Sequence, residues 1–267
     1  MNILEQIVQQ KHHEVAQRKQ VCTTAELRNR AHYNRVPLSL AKALQQPGST
    51  GIIAEFKKRS PSKGIINGHA VVEEVVAGYE AFGAAGISVL TDEQFFGGNL
   101  AHLEAARQTV NTPLLRKDFI IDEYQIEEAR AAGADVVLLI AAILTVAETR
   151  RLAAYATRLN LEVLLELHDA AELEYICDET TLIGINNRNL KNFSVDIEQS
   201  IRLAEQIPAN KIKIAESGID APETITRLKQ HGFSGFLMGE FFMKQEQPAL
   251  ALQQLVARLN NTNTITS

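Results

Sequence analysis

Tryptophan is absent from this chain of 267 residues, and cysteine occurs only twice, at Cys22 and Cys177. Two cysteines so far apart, with no CxxC and no Cys/His spacing, argue against a disulfide framework and a structural zinc site and point to a reducing compartment. No apolar run approaches the ~20 residues that span a bilayer. The opening segment, MNILEQIVQQKHHEVAQRKQ, has no continuous apolar core and no small-residue cleavage site. A cytoplasmic location without a membrane anchor is therefore expected. Charge of one sign is also scarce: 27 basic residues stand against 32 acidic, a net charge of −5 without a long run of either. Nucleic acid is not the expected partner. A small anionic ligand remains open, because a few lysines in one place outweigh a mild global charge. With 45% hydrophobic and 22% charged residues, 15 Gly and 7 Pro, the chain is neither disordered, collagen-like nor coiled coil.

What is present alternates. Residues 1–46 read as helices: Ile3, Leu4, Ile7, Val8 and Val15 give a partial stripe, and Thr23 or Thr24 can cap a second short helix through Leu27. Pro37 and Pro47-Gly48 punctuate this stretch, which is too small for a core of its own and is expected to pack on the main domain. From residue 47 to 260 eight short apolar runs follow: GIIAEFK, GISVLT, PLLRK, DVVLLI, LEVLLEL, TLIGIN, KIKIAE and GFLMGE. Most are continuous rather than alternating, as in strands covered on both faces. Between them lie amphipathic segments, among them VVEEVVAGYEAFG, EYQIEEARAAG, TVAETRRLAAYATRL, APETITRLKQHG and PALALQQLVARL. Gly83, Gly133 and Gly232 fall where left-handed caps belong. Eight strand-helix units predict an α/β fold, a (β/α)8 TIM barrel with an N-terminal helical extension. A doubly wound sheet, the alternative, would use fewer strands and a GxGxxG turn, which is missing. Residues 261–267 read as a frayed tail.

In such barrels the chemistry sits at the C-terminal ends of the strands. Those ends carry Glu55 and Lys57, Lys117, Glu166, Asn186 and Arg188, Glu216 with Ser217 and Gly218, and Gly239 with Glu240. Charge inside apolar runs is costly unless it is paired or used. Glu55 and Lys57 lie two apart and share a face, either as a buried ion pair or as an acid-base pair. Of the neighbours Arg116 and Lys117, one must point inward and the other toward a helix. Glu166 stands out in an otherwise core-like run, while His168 beyond it reads as a surface or capping residue. The loops AESGID and LMGEFF, after the seventh and eighth strands, stand where this fold often binds phosphate. The loop KRSPSKGIING, after the first strand, reads as a lid over an anionic substrate. No Ser-His-Asp order, HExxH or P-loop is present.

Together IIAEFKKRSPSKG, ISVLTDEQFFGG, LLRKDFIIDEYQIEEAR, EVLLELHD, LIGINNRNL, IAESGI and FLMGEFFM resemble, in order and from about residue 3 to 245, the indole-3-glycerol phosphate synthase family. The resemblance implies ring closure of 1-(2-carboxyphenylamino)-1-deoxyribulose 5-phosphate to indole-3-glycerol phosphate, with loss of CO2 and water, in tryptophan biosynthesis. It implies no cofactor and no metal. Lys117 matches the family's general acid and Glu166 its catalytic carboxylate. Glu55 and Lys57 match a second acid-base pair, and Asn186 a substrate-positioning catalytic residue. Ser60, Arg188, Glu216, Ser217, Gly218, Gly239 and Glu240 match the substrate and phosphate grip. Two lysines in one mouth are expected to lower each other's pKa. Arg59 and Phe241 depart from the small residues usual at their positions. A monofunctional, monomeric enzyme is expected, at most weakly associated with other enzymes of its pathway. The alternatives are another phosphate-binding barrel enzyme such as phosphoribosylanthranilate isomerase, which would want a Cys/Asp or paired-Asp set, or a silent barrel that only binds a phosphorylated ligand.

Overall fold

The computed structural model describes residues 2–188 and 194–265. Its strands are β1 (Ile52–Phe56), β2 (Arg59–Ser60), β3 (Gly64–Ile65), β4 (Gly86–Leu90), β5 (Leu114–Lys117), β6 (Val136–Ile140), β7 (Glu162–Leu167), β8 (Leu182–Asn186), β9 (Ile212–Glu216) and β10 (Phe233–Met238). β1 and β4 to β10 are parallel and close into an eight-stranded barrel, in which β1 pairs with both β4 and β10. All eight predicted apolar runs supply these strands. β2 and β3 form a separate antiparallel hairpin within the loop after β1, at the segment expected to act as a lid.

Around the barrel run α4 (Val72–Ala81), α5 (Leu100–Thr109), α6 (Glu123–Ala131), α7 (Val146–Arg158), α8 (Ile197–Ala204), α9 (Pro222–Gln230), α10 (Glu240–Met243) and α11 (Pro248–Ile265); α1 (Ile3–Val21), α2 (Thr24–Arg28) and α3 (Leu40–Gln45) precede it. Their starts are written in the sequence. Asn2 with Glu5, Thr23 with Glu26, Asp122 with Gln125 and Thr145 with Glu148 form capping boxes that satisfy the first free amides of α1, α2, α6 and α7. Gly83, Gly133 and Gly232 all take positive φ, as their cap positions require. The crossover after β7 is a 3-10 helix, Ala170–Tyr175, rather than an α-helix. α11 runs from Pro248 to Ile265, past residue 260, after which the sequence suggests a tail. Buried Leu252, Leu255 and Leu259 hold this helix down, and its backbone ladder continues past the last of them. Residues 266–267 lie outside the described residues.

The N-terminal helices reach both ends of the barrel. At the bottom, Leu40 and Leu44 of α3 are buried against the barrel interior with Ile53, Leu164 and Ile214. Burying a leucine contributes roughly 1.5–3 kcal/mol. Glu162, at the start of β7, fixes α3 by accepting hydrogen bonds from the amides of Leu40 and Ala41 at 2.8 and 3.1 Å. At the top, α1 sends Ile7 into the same apolar interior and Lys11 into a charged one. Lys11 is fully buried, with its Nζ 2.9 Å from Asp92 and 3.0 Å from Asp118. Those aspartates follow β4 and β5, so one lysine ties α1 to two neighbouring strand tips.

Candidate active site

Strand register brings the charged tips together. Glu166 of β7 pairs with Gly184 of β8, and Asn186 pairs with Glu216 of β9. Lys117, at the end of β5, reaches across the mouth to both carboxylates: its Nζ lies 3.1 Å from Glu166 Oε2 and 2.6 Å from Glu216 Oε2. Asn186 Nδ2 donates to Glu166 Oε1 at 3.2 Å. Arg116 points the other way, fully buried, donating to Asp118 at 3.0 Å and Glu128 at 3.2 Å. The choice left open between the two neighbours thus resolves with Lys117 inward.

A second ion pair stands beside this cluster. Lys57 Nζ lies 2.6 Å from Glu55 Oε1. Glycines make room for these carboxylates: a Cβ on Gly239 would lie 2.2 Å from Glu55 Oε1, and one on Gly184 would lie 2.1 Å from Glu216 Oε1. Gly239 keeps an ordinary negative φ, so space rather than backbone freedom demands glycine there. The next turn is different. Ser217 has φ 68° and Gly218 φ 65°, and Asn187 Nδ2 donates to the Ser217 carbonyl at 2.7 Å. Left-handed serine is unusual, and the buried Asn187 side chain holds it there. Glu240 stands 3.6 Å from both Lys63 of the β1 loop and Arg188 of the β8 loop. Ser60 is buried in the hairpin.

All twelve residues selected from the sequence line one cavity of about 340 Å³. Sequence reasoning missed its apolar wall, which includes Ile7 from α1, Phe96 and Phe119. A larger cleft, about 770 Å³, opens beyond Asn186 toward α8, and among the described residues no lysine lines it. Of the departures noted above, Phe241 stacks edge-on against Phe242 with ring centres 5.3 Å apart, and Arg59 lies over Gly97. Asn189 and Leu190 of the GINNRNL motif lie outside the described residues.

His168 is a correction. Expected at the surface or in a cap, its side chain is 11% exposed, and its Nε2 lies 3.1 Å from Glu166 Oε1. Its Nδ1 is 3.5 Å from Glu172. The signal was available: His168 follows Glu166 by two, the same spacing that puts Lys57 beside Glu55.

The electrostatics of the cluster also correct an expectation. Burial draws the Lys117 pKa down, but Glu216, Glu166 and Glu55 outweigh it and the net shift is upward. The expected lowering fails at Lys117, because the carboxylates around it outweigh any neighbouring cation. Burial raises Glu216; Lys117 opposes this, the charge of Glu166 adds to it, and the carboxyl is pushed up to about 7. Burial acts on Glu166 as well, yet Lys117 and then His168 hold it well below the usual carboxylate range.

A (β/α)8 barrel whose mouth gathers two lysine-carboxylate clusters beside a left-handed Ser-Gly turn has the architecture of a barrel enzyme, with its charged groups at the C-terminal ends of the strands. Solved structures agree on the fold: a mutant tryptophan synthase alpha-subunit from Pyrococcus furiosus superposes with a TM-score of 0.60 at 14% identity, over 79% of this chain and 98% of that one. A thiamine phosphate pyrophosphorylase from the same organism gives 0.57, also at 14% identity, over 79% and 95%. The indole-3-glycerol phosphate synthase family model matches residues 4–255, and the chain belongs to that family. Indole-3-glycerol phosphate synthase of Bacteroides thetaiotaomicron is 50% identical over 96% of this chain and 98% of its own length. That of Koribacter versatilis is 46% identical over 95% and 98%.

Proposed function

We propose that this chain is a carboxy-lyase that closes the indole ring, converting 1-(2-carboxyphenylamino)-1-deoxyribulose 5-phosphate to indole-3-glycerol phosphate, CO2 and water in tryptophan biosynthesis. The observation that carries this is Lys117, held between Glu166 and Glu216 on the floor of an anion-ready cavity in a chain of this family. The substrate bears a benzoate and a phosphate, and Lys57, Lys117, Lys63 and Arg188 supply positive charge around the mouth. The phosphate is assigned to the Ser217-Gly218 turn, Gly239 and Ser60. The aromatic ring rests against Ile7, Phe96 and Phe119.

Chemistry follows from those placements. The ring carbon that bears the carboxylate attacks the ribulose carbonyl, and Lys117 gives its proton to the oxygen as the carbon-carbon bond forms. A lysine with a raised pKa is a weak acid, but a developing alkoxide is a stronger base than any amine, so the transfer runs downhill. Glu166, with Asn186 orienting it, stabilises the cationic aniline nitrogen that ring attack leaves. Loss of CO2 returns the bonding electrons to the ring. Loss of the new hydroxyl as water then needs one proton given and one taken, the work of Lys57 and Glu55. Every proton has a side-chain source, and the scheme calls for no cofactor or metal. We place the reaction in the cytoplasm and its catalyst as a monomer, with residues 1–46 acting as an extension that completes the cavity wall.

The absence of tryptophan provides the test. Purified protein mixed with the carboxyphenylamino-deoxyribulose phosphate should develop indole emission over a low background without added cofactor or metal. A flat trace from folded protein and verified substrate would replace this reading with a barrel that only binds phosphorylated ligands.

A further inference from the structure

Glu166 and Glu216 are both buried and share one cation, Lys117. Two carboxylates on one ammonium leave a surplus negative charge, which a single proton neutralises. A carboxylate that is to stabilise a cationic nitrogen must be the anion, with the proton on the other member of the pair, so something must break the symmetry between them. Their surroundings differ in one direction. Glu166 receives Lys117, the Asn186 amide at 3.2 Å and the His168 ring at 3.1 Å. Glu216 receives Lys117, and its buried Oε1 has no hydrogen-bond partner among the described residues.

The His168 ring is built to be cationic. Both ring nitrogens are out of contact with solvent and make no aligned hydrogen bond among the described residues, but each lies close to a carboxylate, Nε2 3.1 Å from Glu166 and Nδ1 3.5 Å from Glu172. Glu172 is itself anchored, accepting the His168 backbone amide at 2.5 Å. A neutral imidazole offers one donor and would leave its other nitrogen lone pair against an anion; an imidazolium suits both sides.

We propose that His168 is a positioning residue whose imidazolium assigns the negative charge to Glu166 and leaves the shared proton on Glu216. Glu166 then meets the substrate as the anion and Glu216 as the proton-bearing neighbour of Lys117. The anionic role of Glu166 toward the aniline nitrogen rests on the function proposed above; the assignment of charge within the pair does not. The direction of each titration agrees. Burial pulls His168 down, but Glu166 and Glu172 carry it up to about 10, while Glu166 is held low and Glu216 is raised. Glu55 from β1 also acts on this cluster, through Lys117; β8 contributes neutral Asn186, and Gln199 of α8 donates to the His168 carbonyl at 3.5 Å.

The test has two arms. Nitrogen-15 NMR of the wild-type histidines should find both His168 nitrogens protonated at pH 8, and Glu172→Gln should move that titration to lower pH. His168→Gln removes the cation and keeps an amide. Without the cation the pair holds its proton more tightly, so the acid limb of the kcat/KM profile should move up by at least about half a pH unit. A neutral His168 at pH 8, or an unmoved acid limb, overturns the proposal. If His168→Gln does not fold, the NMR arm decides alone. Wild-type protein without turnover would refute the proposed activity and leave the NMR outcome standing.

Discussion

Lys117 cannot be described by its own chemistry, since two buried carboxylates decide its protonation. Replacing it with methionine removes the proton source and leaves Glu166 and Glu216 facing each other. Lys117→Met should lower kcat by roughly 10²–10⁴-fold, measured as indole emission at saturating substrate. Gly239 fails for a different reason. A valine there would drive the Glu55 carboxylate off Lys57, so Gly239→Val should cut kcat/KM at least about tenfold, with Gly239→Ala intermediate. An unchanged kcat in both would mean that the Glu55–Lys57 pair is idle. At this scale the sequence was legible where alternation governs. Strand-tip residues could be named because their neighbours are apolar, and the twelve taken as site residues line one cavity, whereas Thr91 and Asp92, at the tip of β4, do not. What alternation cannot show is which charge across the barrel each one meets. That is why Glu216 was assigned to substrate grip, although in the structure it bonds Lys117 at 2.6 Å.

Helix α1 shows what an element adds. Ile7, Lys11 and Val15 are spaced four apart and all are buried, so Lys11 occupies a core position of the stripe. The sequence shows that slot, but reading it as polar hides the two aspartates waiting on β4 and β5. Lys11→Met would leave Asp92 and Asp118 buried without their cation, at a cost of about 3–5 kcal/mol, read by urea unfolding. Because Asp118 adjoins Lys117, kcat should fall as well; a stable variant would show that the charges find other partners. Other elements were less legible for physical reasons. α5 (LAHLEAARQT) buries only Leu103, Ala106 and Arg107, too thin a stripe to stand out. The β2–β3 hairpin is two residues per strand, too short for any periodicity.

Across the whole molecule the two ends of the barrel divide the labour. The top gathers the Lys117 and Lys57 ion-pair clusters, and the bottom is plugged by Leu40 and Leu44. Leu44→Ala should destabilise the protein by roughly 2–5 kcal/mol, with kcat and KM at 25 °C unchanged; a loss of activity in the folded variant would mean that the plug and the mouth are coupled. The barrel itself was readable because eight strands buried on both faces cannot avoid continuous apolar runs. The helices ahead of it were readable as helices but not in their placement, since nothing local says which end of a barrel a segment will cover. That placement bears on how the protein is made. A ribosome delivers α1 before the strands it fastens, yet Lys11 has no reason to leave water until Asp92 and Asp118 have emerged and their strands have paired. A helix synthesised ahead of the barrel is thus among the last to dock, and the lysine that fastens it checks that the strands beneath have assembled.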